Sequence, residues 1–116
     1  MPLSRILVVA LDADVRRSIE FALEAEGYRP TALDSLPSLD FLRQNRFGCT
    51  VLDQRALVGE ARDSISFCIT AHPVVLLAGQ PHPWLTDWVS QIVITPDWQN
   101  GLTKAILAAT RAAAPD

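Results

Sequence analysis

The sequence predicts a doubly wound α/β domain: a (βα)5 chain forming a five-stranded parallel sheet of order 2-1-3-4-5, with helices on both faces. Three observations predict it. Five short apolar runs, at residues 5–10, 28–33, 49–52, 74–77 and 92–94, have the composition of buried parallel strands. The segments after them repeat apolar residues at helical spacing. The connections are short, and short right-handed crossovers between parallel strands place helices on the two faces in turn. At 116 residues the whole chain, 1–116, makes one domain.

In chain order, Ile6-Leu7-Val8-Val9 forms the first strand. Asp12 or Asp14 can cap the helix that follows, where Val15, Ile19, Ala22 and Leu23 share a face. Gly27 suits the position just past that helix. Pro30 cannot donate to a ladder, which sends the second strand to a sheet edge. Ser35 opens a second helix through Leu39 and Leu42, ending near Asn45. Strand three stops at Asp53, and a weaker helix covers roughly residues 60–68. Pro73 leads into strand four. A proline-rich loop then precedes a helix of barely two turns at residues 84–89. Asp97 caps the last helix, with Leu102, Ile106 and Ala109 facing inward before an alanine-rich tail. The third and fourth helices are the short ones.

Composition narrows the function. Apolar residues are 49% and charged residues 20%, ordinary for a packed domain. Net charge is −3 with a pI of about 5.2, and the basic residues are scattered, which argues against direct nucleic-acid binding. No apolar stretch approaches the roughly 20 residues of a membrane span. The N-terminus lacks the features of a signal peptide. Cys49 and Cys68 lie in apolar surroundings, so a reduced, cytoplasmic setting is expected. Their spacing from His72 gives no metal motif. The loop at Leu11-Asp12-Ala13-Asp14 would repel phosphate, and His72 and His82 fall at opposite ends of strand four. Nothing here resembles an enzyme site.

Five segments in order carry a family resemblance: Ile6-Leu7-Val8-Val9; Asp14-Val15-Arg16 with Glu24-Ala25-Glu26-Gly27-Tyr28; Val51-Leu52-Asp53-Gln54-Arg55; Pro73-Val74-Val75-Leu76-Leu77; and Val93-Ile94-Thr95-Pro96. Over nearly its full length the chain resembles the flavodoxin-like receiver domain of bacterial two-component response regulators. The resemblance implies a phosphoacceptor at Asp53 and a cis peptide bond at Thr95-Pro96. It also implies an acidic pair for Mg²⁺ after strand one, a hydroxyl after strand four, a lysine after strand five and an aromatic switch within strand five. Those positions fall on Ala10 and Leu11, Ala78, Thr95 and Ile92. Lys104, the sole lysine, belongs to the last helix and cannot substitute. Each lost donor or charge costs on the order of 10²–10³ in rate, so self-phosphorylation should slow by roughly 10⁴ or more.

The expectation is therefore a pseudo-receiver with no cofactor. Asp53 is either a strand-end carboxylate, hydrogen-bonded or paired with Arg55, or, in the alternative reading, a slow phosphoacceptor fed by a histidine kinase with Mg²⁺. Function then falls to the surface. Trp84 and Trp88, one turn apart, and Leu107 on the last helix form a candidate face for a signalling partner or a second copy. The same tryptophans could instead fold inward over the sheet.

Overall fold

The computed structural model describes residues 4–113. Met1-Pro2-Leu3 and the end of the alanine-rich tail lie outside the described residues. The elements run β1 (Arg5–Val9), α1 (Ala13–Ala25), β2 (Arg29–Leu33), α2 (Leu39–Gln44), β3 (Cys49–Asp53), α3 (Ala61–Thr70), β4 (Val74–Ala78), α4 (Pro83–Thr86), β5 (Gln91–Ile94) and α5 (Trp98–Ala113), with a 3₁₀ turn at Gln54–Ala56. The sheet order is β2-β1-β3-β4-β5 and every pairing is parallel, as the sequence predicts. Register pairs Val9 with Leu52 and Asp53 with Leu77, so the carboxyl ends of β1, β3 and β4 come together.

Strand alternation divides the core into two layers. Ile6, Val8, Val51, Val75, Leu77 and Val93 face α1 and α5 through Ile19, Leu23, Leu102 and Ile106. Leu7, Val9, Leu52, Val74 and Leu76 face the other way, against Leu42, Phe67 and Leu85. That two-sided burial is why the central strands read as unbroken apolar runs.

Caps explain the helix boundaries. Asp12 rather than Asp14 is the N-cap of α1, its Oδ1 accepting from the N–H groups of Asp14 at 2.8 Å and Val15 at 3.0 Å. Gly27 takes φ +88°, the left-handed value that ends the helix. The expected start of α2 at Ser35 is wrong. Ser38 caps it through the Phe41 N–H, and Leu36 and Pro37 lie outside the helix. α3 continues to Thr70, beyond the expected residue 68. The two-turn helix at residues 84–89 is also corrected: α4 is one turn, closed by Thr86 Oγ1 donating to the Pro83 carbonyl. Asp87 and Trp88 form a turn after it, and Val89 and Ser90 lead into β5. The short helices are α4 and α2, at four and six residues, rather than the expected third and fourth; α3 has ten residues, beside thirteen and sixteen in α1 and α5. Thr95-Pro96 is cis as expected, and so is His72-Pro73, which the sequence reading did not anticipate.

Candidate functional site

Asp53 ends β3 at the centre of the sheet's carboxyl edge, only 3% exposed. The 3₁₀ turn immediately after it swings Arg55 back over the carboxylate. Arg55 Nε donates to Oδ1 at 3.2 Å and Nη2 to Oδ2 at 2.8 Å, while the Arg55 backbone N–H adds a third bond to Oδ1 at 3.0 Å. Both carboxylate oxygens are thus engaged, and the two-pronged geometry is the strong form of this pair. The hydrogen bond and charge of Asp53, with a smaller contribution from Asp12, push the Arg55 guanidinium above its usual value.

Around this pair stand the positions that the resemblance marks as changed. Ala10 is buried, its N–H donating to the Leu33 carbonyl at 3.0 Å. Its own carbonyl accepts from Arg16 Nη1 at 2.9 Å, and Leu11's carbonyl accepts from the same atom at 3.3 Å. Leu11 points its side chain to solvent. Ala78 is buried at the end of β4, and its carbonyl accepts from the Thr95 N–H at 3.1 Å. Thr95 Oγ1 lies over Gly79. Gln54 braces the rim: its Nε2 donates to the Gln80 carbonyl at 3.0 Å and its Oε1 accepts from the His82 N–H at 2.9 Å.

A Mg²⁺ ion takes octahedral oxygen ligands, usually including one or two carboxylates. Asp53 gives both oxygens to Arg55, and Asp12 gives its Oδ1 to the N–H groups of Asp14 and Val15 that it caps. Among the described residues no three metal-ligating side chains converge. The donor set does not fit Mg²⁺. Two guanidinium groups, from Arg55 and Arg16, supply the positive charge at this end of the sheet. Sequence reasoning named Arg55 as a partner for Asp53 but missed Arg16, whose position one turn into α1, six residues after Ala10, was the available signal.

The candidate contact face is only partly assembled. Trp84 and Trp88 are 40% and 43% exposed and Leu107 is 43% exposed, so none of the three folds fully inward. The tryptophans do not share a helix, because α4 ends at Thr86. Trp84 stacks on His82, with ring centroids 5.3 Å apart, while Trp88 lines a cleft with Ile69 and His72 beside α3. Two residues that sequence reasoning missed as surface extend the apolar area. Ile92 and Ile94 pair with Leu76 and Ala78, on the sheet face that α4 is too short to cover, and both are exposed. Ile92, expected as the changed switch position, is thus a surface residue. Trp98, which had drawn no assignment, is the buried tryptophan.

His72 and His82 stand at opposite ends of β4, as expected. Cys49 and Cys68 are buried, reduced thiols, pushed by burial up to about 12 and about 11. No described helix is long and apolar enough to cross a membrane.

No protein-family model matches the chain, and no curated protein sequence matches it. Solved structures do. Full-length FixJ from B. japonicum superposes with a TM-score of 0.78 at 24% identity, covering 96% of this chain and 59% of that one. The receiver domain of a sensor histidine kinase from Pseudomonas aeruginosa PAO1, solved with magnesium coordinated in its active-site cleft, gives 0.77 at 16% identity, covering 92% and 97%. A CheY-like response regulator receiver domain protein from Methanospirillum hungatei JF-1 gives 0.76 at 18%, covering 93% and 94%. These similarities establish the fold.

Proposed function

We propose that this chain is a receiver-fold signalling module that works by protein contact without a phosphoryl switch. The observation that carries the reading is the ion pair at Asp53. The carboxylate that would attack a phosphoryl donor is bound at both oxygens by Arg55. The surrounding positions that would hold metal and phosphoryl oxygens are Ala10, Leu11, Ala78 and Thr95, which carry no charge. A nucleophile with both oxygens hydrogen-bonded to Arg55, and no ion to offset the incoming charge, lacks the electrostatic basis of phosphoryl transfer. This favours the pseudo-receiver over a slow phosphoacceptor at Asp53 fed by a histidine kinase with Mg²⁺, and over any catalytic role.

Contact then runs through the side of the sheet that α4 leaves open. Trp84, Trp88, Ile92 and Ile94 present large exposed side chains there, whereas Leu107, also exposed, lies on α5, which packs on the other face of the sheet. The partner is a signalling protein or a second copy, and a second copy would pair most simply about a two-fold axis, with the same patch on both subunits. Truncating a hot-spot tryptophan typically costs about 2 kcal/mol or more. Light scattering on the wild type and on Trp88→Ala tests the self-association arm. The expected result is a concentration-dependent dimer, weakened by the substitution and unchanged when Mg²⁺ and a phosphate analogue are added. A dimer that forms only with the analogue would reverse the reading.

A further inference from the structure

The carboxyl edge of the sheet holds a cleft of about 420 Å³ beside the Asp53–Arg55 pair. Val15 of α1, Leu77 and Ala78 of β4, and Pro96 and Trp98 at the start of α5 give it carbon walls, with Arg55 and Thr95 among its polar groups. Open α/β sheets take ligands at this edge, in the crevice beyond the strand ends. Ligand sites are mostly apolar, hold a few placed polar groups, and run from about 300 to 1,000 Å³.

We infer that this cleft binds a small, neutral, planar and largely apolar molecule carrying a carbonyl-type acceptor. Charge balance selects the neutral class. Asp53 and Asp12 are offset by Arg55 and Arg16, so the site offers no surplus positive charge to an anion. An anion would stand beside the buried Asp53 carboxylate, and a cation would face Arg55. Two donors remain for a ligand oxygen. Arg55 commits Nε and Nη2 to Asp53, while its Nη1 has no acceptor among the described residues. The Thr95 hydroxyl has none either, and it sits across the opening from Gly79. Trp98 and Pro96 line the cleft with ring side chains, which suit a flat aromatic ligand. The inference holds for the monomer and is independent of the contact face proposed above.

Titration of the isotopically labelled full chain with 1-naphthamide, followed by heteronuclear NMR, tests it. The expected result is saturable shifts at Gly79, Thr95 and the Trp98 indole N–H, with 1-naphthoate binding more weakly. A Cβ at Gly79 would lie 3.5 Å from Thr95 Oγ1, an ordinary contact, so Gly79→Leu should fill the opening without straining the backbone. It should weaken binding by about tenfold or more while leaving the fold intact. Thr95→Leu fills the cleft from the other side and serves if Gly79→Leu does not fold. Shifts that are absent, that map elsewhere, or that persist in both filled variants would overturn the site. Tighter binding of 1-naphthoate would overturn the assigned ligand class.

Discussion

Replacing Arg55 with alanine takes both side-chain donors from Asp53 and leaves a carboxylate that is 3% exposed with one backbone N–H, at 3.0 Å. Hydrogen bonds to charged groups contribute about 1.5–3 kcal/mol each, and removing one partner of a fully buried pair costs about 3–5 kcal/mol. The Arg55 side chain, however, is 65% exposed, so solvent screens the pair and reduces that figure. The expected destabilisation is about 2 kcal/mol, which for a domain of this size lowers Tm by roughly 8 °C. Urea unfolding and calorimetry at neutral pH measure it. Asp53→Asn in the Arg55→Ala background removes the stranded charge and should recover a large part of the loss. A single variant within about 0.5 kcal/mol of wild type, the range of an ordinary surface change, would refute the argument that Arg55 holds this carboxylate.

Asp12 gives a prediction in pH. Capping N–H groups lower its folded-state value, so its stabilisation is present above the ordinary carboxylate value of 3.8 and is lost as pH falls through the folded one. Asp12→Ala should therefore melt below wild type at neutral pH, the two curves converging in acid, whereas Asp12→Asn keeps the cap; a gap that persists in acid would contradict this. The thiols of Cys49 and Cys68, pushed up to about 12 and about 11, should resist a disulfide-exchange reagent at pH 8 in the folded chain. Both should react at once in denaturant, and rapid labelling without denaturant would be the contrary result.

The sheet was legible because burial on both faces leaves strands such as Leu7-Val8-Val9 with no polar positions to confuse the period. Asp53 was legible for a related reason, as a charge closing an apolar run. Helix ends were less so. Ser35 and Ser38 are equivalent as residue types, and only the bond from the Phe41 N–H to the Ser38 hydroxyl decides for Ser38. Trp84 and Trp88 have helical spacing, but spacing does not reveal that the helix stops at Thr86 and that Asp87 and Trp88 form a turn. The exposure of Ile92 and Ile94 follows from that same early stop. Arg16 shows a different limit: its guanidinium reaches backbone carbonyls of Ala10 and Leu11, and a carbonyl's direction is not written in side-chain identity. The cleft beside Trp98 was missed because its walls come from α1, β3, β4 and the start of α5, which are far apart in sequence.

Acetyl phosphate with millimolar Mg²⁺, read by intact mass over several hours, tests most directly whether Asp53 has left phosphotransfer. With both carboxylate oxygens held by Arg55 and no acidic pair beside them, the account predicts an unchanged mass for the wild-type chain. Gain of one phosphoryl group within minutes, abolished by Asp53→Asn, would contradict it.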